Sequence, residues 1–206
     1  QGALMIGAQG GFNMSTDYDF ETGGVNPLLG LASGGAYGSA EIALSEKLSF
    51  NAGFTQRDEL AEYRDPRTGE YLPIVDGLES YKASAAVASV KYSVTDHVSL
   101  NVGYTMLNEG TGLLGVQALD PISLKGDAVT DATTYGADVA LPYGFNLSGT
   151  AMLGKTREGD FGKGELRVEE GAVSSSWQIA VGKTGLFGKS DKARLSFTQP
   201  FHIESG

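Results

Sequence analysis

The segment VSLNVGYTM at residues 98–106 constrains the fold more than any other stretch of the chain. Val98, Leu100, Val102, Tyr104 and Met106 share one parity, and Ser99, Asn101, Gly103 and Thr105 share the other. A β-strand directs successive side chains to opposite faces, so this strand has one apolar face and one small, polar face. The polar face is neither charged nor long. Lys and Glu usually coat a sheet that meets bulk water, whereas small polar residues and glycine suit the inside of a closed barrel. The same design recurs along the chain. It leads to an all-β expectation: one antiparallel up-and-down, outer-membrane-type β-barrel domain over residues 1–206.

Composition narrows the function classes. Thirty glycines without a collagen period point to a crowded or tightly turned β structure. A net charge of −10 argues against nucleic acid as a partner, because phosphate binding needs a basic surface. The absence of cysteine removes disulfides and thiolate metal sites. No run of about 18 apolar residues is present, so a membrane-spanning helix is not expected. The chain opens at Gln1 in mid-pattern without a signal peptide, as expected of a processed chain or a piece of a longer precursor.

Alternation continues on both sides of residues 98–106. Residues 3–16 alternate moderately, and residues 17–33 read as a loop. Ala40, Ile42 and Leu44 precede a turn at 45–47, followed by Leu48, Phe50, Ala52 and Phe54. Ala86, Ala88, Val90, Tyr92 and Val94 lead into a turn at 95–97 and then the segment above. Tyr135, Ala137, Val139 and Leu141 meet a Pro-Tyr-Gly turn at 142–144, followed by Phe145, Leu147, Ala151 and Leu153. Trp177, Ile179 and Val181 precede a turn near 188–191, after which Leu195, Phe197, Phe201 and Ile203 share one parity. Pro200 predicts a bulge or bend there.

The long connections fall at 56–78, 107–128 and 155–172. About nine strands result, with connections that alternate short and long, as the periplasmic turns and extracellular loops of outer-membrane barrels do. Tyr92, Tyr143, Phe145 and Phe187 fall by short turns, and Tyr81, Tyr104, Tyr135 and Trp177 by long loops. Two such groups are the expected aromatic girdles at the membrane interfaces.

Four stretches carry a resemblance: GGAYGSAEIALSEKLSFNAGFTQ (34–56), TGLLGVQALDP (111–121), TDATTYGADVALPYGFNLSGTAMLGKTR (130–157) and VSSSWQIAVGKTGLFGKSDKARLSFTQPFHIESG (173–206). The last is the most specific. Together they resemble the C-terminal translocator barrel of autotransporters, of the kind attached to subtilisin-like serine peptidases. The resemblance implies a barrel of about 12 strands that carries a passenger across the bacterial outer membrane. Its implied partners are outer-membrane lipid, the chain's own passenger domain and the outer-membrane assembly machinery. It also implies a linker helix ahead of the first strand and a terminal aromatic residue. Neither pattern occurs here, and the chain ends at Glu204, Ser205 and Gly206, so a barrel truncated at its C-terminus is expected.

The sequence offers no catalytic, cofactor-binding or metal-binding residues for this segment. A Ser–His–Asp arrangement would need His97 or His202 beside an activated serine, and neither a subtilisin-type serine context nor a nucleophile elbow is present. Asp17, Asp19 and Glu21 imitate part of a calcium loop but lack its central glycine and its last ligand, and read as a solvated loop. RDPRTGEY at 64–71 reads as turn chemistry.

The polar parity supplies the expected lumen-facing set of Glu41, Asn51, Gly53, Lys91, Asn101, Gly103, Asp138 and Arg194. Its charges either keep a pore wet and grip a linker, or neutralise one another in a filled interior. The glycines make room for a helix or passenger, or let the wall curve. Tyr92, Tyr104, Tyr135, Tyr143, Phe145 and Trp177 form the expected interface set. The leading functional expectation is a translocator and anchor that is itself no enzyme. The alternatives are a soluble β-rich binding or scaffold module and an outer-membrane protease barrel, the latter disfavoured by the missing acid–histidine constellation.

Overall fold

The structure is a computed structural model. It describes residues 2–8, 26–32, 35–59, 62–65, 67–73, 80–110, 112–117, 128–157, 159–161, 166–168, 171–186, 188 and 191–205. In chain order the elements are β1 (Gly2–Ala8), α1 (Pro27–Leu31), β2 (Ala36–Ala43), β3 (Leu48–Glu59), β4 (Glu62–Arg64), β5 (Tyr71–Pro73), β6 (Tyr81–Thr95) and β7 (Val98–Glu109). They continue with β8 (Ala128–Leu141), a 3-10 turn at Pro142–Gly144, β9 (Phe145–Thr156), β10 (Gly159–Phe161), β11 (Leu166–Val168), β12 (Ala172–Thr184) and β13 (Lys192–Ser205).

The protein is all-β. Nine strands form one antiparallel sheet in the order β1-β2-β3-β6-β7-β8-β9-β12-β13, so each strand pairs only with its neighbours along the meander. Among the described residues β1 and β13 each have one partner, and the sheet is not closed by a pairing between them. The two remaining pairs, β4-β5 and β10-β11, are hairpins inside long connections. Four short links, after β2, β6, β8 and β12, lie where the sequence predicts turns. At the 3-10 turn, Tyr143 and Gly144 both take positive φ (63° and 76°), which reverses the chain within three residues.

The strands run further into the long connections than the alternation suggests. β3 extends to Glu59, β7 to Glu109 and β9 to Thr156, while β8 begins at Ala128. Their outward residues there are polar (Gln56, Asp58, Lys82, Asn108, Asp131, Lys155), so the apolar signal fades before the hydrogen-bonded ladder does.

The two faces differ sharply. On β7 the even positions from Leu100 to Met106 are exposed, whereas Gly103, Thr105, Leu107 and Glu109 are buried. Val102 is 49 % exposed and Thr105 0 %. The same inversion holds on β6, β9 and β12, where Val90, Leu147, Leu153, Ile179 and Val181 point out and Ala83, Ala85, Ser148, Met152, Ser174 and Ala180 point in. Large apolar side chains coat the outside of this sheet, and small ones line its inside.

The inside is wrapped around α1, a segment that the sequence reads as part of a loop at 17–33. Asn26 caps the helix by accepting from the Leu28 and Leu29 amides, and Pro27 opens its first turn. Five residues are too few to show a helical period, which is why the element is silent in the sequence. Asn26 Nδ2 donates to Thr105 Oγ1 on β7 at 2.7 Å, and Thr55 Oγ1 on β3 donates to the Ala32 carbonyl at 3.1 Å. Pro27 also borders a cleft whose other walls come from β9, β12 and β13. In a flat sheet β3 and β13 would lie about 29 Å apart, at about 4.8 Å per strand. A helix of this length spans only about 8 Å. Contact with all these strands requires the sheet to curl tightly around the plug.

Leu28, Leu29 and Ala32 form the centre of the core, with Ala83, Ala85, Leu107, Ala132, Met152 and Ala172 around them and Phe201 packed against its edge. Phe201 corrects the parity assigned to the last strand. The β12–β13 register slips between Ser175 and Trp177, whose partners are His202 and Gln199, so β13 carries an extra residue at Pro200. That bulge turns Phe201 inward while Leu195 and Phe197 stay out.

Candidate functional site

The site suggested by this arrangement is the inner face with its plug, bordered outside by an apolar band. Cross-strand register places the expected inward residues together. Glu41 pairs with Asn51, Asn51 with Ser89, and Ser89 with Gly103, while Gly53 lies two residues from Asn51 on the same face. Lys91 pairs with Asn101 and Asn101 with Gly136, and Asp138 follows on that side. Arg194 pairs with Gly182 on the inner side of β12. All eight therefore share the face that carries buried Thr55 and Thr105. Glu41, on a strand near the free edge, is itself exposed.

Two zones divide this face. Near the long connections it is buried and filled by α1, with Thr55, Thr105, Glu109, Thr130 and Thr156 buried among the apolar side chains of the core. Near the short turns it is polar and opens into a cleft of about 460 Å³ bordered by Lys91, Asp138, Asn146 and Ser99. Small residues let long ones cross here. Arg194 Nη2 reaches over β12, which presents Ala180 and Gly182, to Ser148 Oγ on β9 at 3.1 Å. Asn101 lies so close above Gly136 that a Cβ there would be 2.3 Å from its Oδ1. Gly103 is less crowded, with Ser89 Cβ at 3.3 Å from the place its own Cβ would take.

Outside, the six expected interface aromatics are all exposed. Tyr135, Ala151 and Trp177 are successive cross-strand partners on β8, β9 and β12, and Tyr104 lies one step further along β7. The polar tips of Tyr104 and Trp177 meet polar partners. The Tyr104 hydroxyl donates to Asp131, and Trp177 Nε1 donates to Gln199. Arg157, just beyond β9, donates to Asp131 from Nε at 2.8 Å, and that bond raises the guanidinium pKa above its usual value. Tyr135 lies midway along β8 rather than at its entrance, since the strand begins at Ala128. At the other end Lys183 sits 5.0 Å from the Phe145 ring centroid and donates to the Tyr143 carbonyl. Tyr81, grouped by sequence with the outer girdle, is instead buried on the inner face.

The inner face also contains residues that the sequence reading passes over. Glu109 is fully buried and accepts from the Tyr81 hydroxyl at 2.8 Å. It lies in the stretch read as loop, and no local pattern marks a buried carboxylate. Thr130 and Thr156, also fully buried, share a hydroxyl–hydroxyl bond of 2.8 Å.

Of the two histidines, His97 lies in a short turn and His202 pairs with Ser175 across β12–β13. The Ser175 hydroxyl donates to Glu204 at 2.5 Å and accepts from Gln199 at 3.3 Å. The Asp17, Asp19 and Glu21 group and Phe187 lie outside the described residues. Comparisons with protein-family models and with curated proteins give no match for this chain.

Proposed function

We propose that this chain is the wall of an outer-membrane β-barrel, which anchors and exports a passenger attached to it and performs no chemistry itself. One observation carries the membrane reading: the large apolar side chains lie on the exposed face of the sheet, and the small, polar face is enclosed. Soluble monomers seldom expose apolar patches beyond a few hundred Å². Here the outward band runs from Ile42 on β2 through Val102 on β7 to Phe197 on β13. On β7 it covers residues 98–106, or about 30 Å of strand, which at the usual tilt spans about 22 Å of hydrocarbon. Tyr104 and Trp177, with their polar tips bonded, suit a headgroup boundary.

The export part of the reading rests on the autotransporter resemblance, supported by an inner face of small residues. Closure of the barrel would come from strands beyond the nine described. The inert reading rests on the sequence, which supplies neither a subtilisin-type serine context nor a nucleophile elbow. The soluble scaffold reading leaves the apolar band without a partner.

The test has two parts. Purified chain should need detergent or lipid to stay dispersed, and Trp177, the only tryptophan, should be quenched by brominated lipid in vesicles. A chain that stays monomeric without detergent, with unquenched Trp177, refutes the membrane reading. For export, a passenger is fused ahead of Gln1 in a full-length barrel with its signals. The bulky replacement Gly53→Trp should slow its surface display while leaving insertion intact. Undiminished display refutes the passage.

A further inference from the structure

Glu109 explains more than its own burial. A fully buried carboxylate is costly unless hydrogen bonds replace its water, and Glu109 is satisfied by three donors. One is Tyr81. The others are the backbone amides of Leu114 and Gly115, both at 2.7 Å. These amides converge because Leu114 and Gly115 both adopt left-handed backbone, with φ of 51° and 81°. Such a conformation is unfavourable for a leucine and persists only where something holds it.

The turn so held is closed by reciprocal Leu113–Val116 backbone bonds of 2.9 and 3.0 Å. It lies against the plug. Leu114 packs in the same cluster as Leu28, Leu29 and Ala32, and a Cβ on Gly115 would come within 2.7 Å of Leu31 Cδ2. Gly112 in turn lies against the Tyr81 ring, where a Cβ would be 2.8 Å from Cε2. The Arg57 guanidinium sits over the same ring, 5.5 Å from its centroid.

None of these bonds belongs to the strand ladder. The plug is too short a helix to be stable by itself and depends on packing, on two hydrogen bonds to Thr55 and Thr105, and on the turn beside it. Each of these bonds to the wall has a side chain as donor or acceptor. We propose that α1 and residues 112–117 form a gate across the long-connection end of the interior, and that Glu109 is the latch holding it shut. The inference rests on reading the inner face as a passage. The latch can release without unpairing a strand, so the wall stays intact while the interior opens.

The absence of cysteine allows a clean test. Ala132 is 2 % exposed on the inner face within the plug's cluster, so Ala132→Cys reports access behind the gate. In detergent-solubilised full chain, the reporter should react slowly with a water-soluble methanethiosulfonate. Adding Glu109→Ala should raise that rate about tenfold or more, the scale expected for lost hydrogen bonds to a charged group. Amide exchange at 114 and 115 should accelerate, and β7 ladder amides should not. Tyr81→Phe, which keeps both amide bonds, should give a smaller rise and decides the matter if Glu109→Ala does not fold. Unchanged labelling in the folded variants overturns the gate. Equal acceleration along β7 also overturns it, by making Glu109 a general prop of the wall. Failure of the membrane reading would show in dispersal without detergent, which is scored separately from labelling.

Discussion

Placing one charge on either side of a single strand tests the assignment of faces directly. Val102 lies on the outward face of β7, half exposed, between Val90 on β6 and Tyr135 on β8. Val102→Arg would put a guanidinium in hydrocarbon near the middle of the apolar band. Such a substitution costs about 2–4 kcal/mol at the midplane of a membrane barrel. Asn101 is its neighbour on the inner face, at the polar, open end. There Lys91 stands directly opposite on β6, and Asp138, the partner of Ser99, lies diagonally across on β8. A like charge opposite destabilises by up to about 1 kcal/mol, and the nearby carboxylate offsets part of that. Asn101→Arg should therefore cost less than about 1 kcal/mol, and the gap of at least about 1–3 kcal/mol is measurable. Reversible unfolding in guanidinium from lipid vesicles, followed by Trp177 fluorescence, gives both values. Equal losses would mean that the faces are assigned wrongly. A greater loss for Asn101→Arg would invert them.

Three further outcomes follow from particular contacts. Single cysteines at Asp96 and Thr68 on intact cells should give labelling by an impermeant reagent at 68 and protection at 96; the reverse pattern refutes the proposed topology. Leu107→Ala, at a fully buried position beside the plug, should cost about 2–5 kcal/mol, whereas Leu100→Ala, facing out, should cost far less in the same vesicle assay. Asp131→Asn should leave folding intact yet loosen the Tyr104 and Arg157 side chains, seen as faster exchange of the Arg157 Nε proton in nuclear magnetic resonance spectra of the micelle-bound chain; unchanged exchange would refute the anchoring role of Asp131.

The sequence carries the strand meander and its parity because a period of two repeats over many residues. Residues 98–106 show this best, and the structure places Leu100, Val102, Tyr104 and Met106 outward as their alternation predicts. What escapes is whatever has no period. α1 is a single turn and a half, and its only local signal is the Asn26–Pro27 pair, which also reads as a turn. Tyr81 and Glu109 stand 28 residues apart and meet only because β6 and β7 are paired, so neither could be assigned inward from its own surroundings. Phe201 escapes for a related reason. Pro200 signals the bulge, but the count of residues after it depends on register with β12.

The plug also imposes an order of assembly. Every main strand pairs with its neighbour in the meander, so each addition closes only a local connection and costs little loop entropy. The helix at Pro27–Leu31 precedes in the chain all the strands that enclose it. It is available before any of those strands pairs, so β3, β6 and the later strands can wind around it. The small helix is thus a mandrel for the curvature of the wall, and its loss should be felt first as slow or misregistered winding.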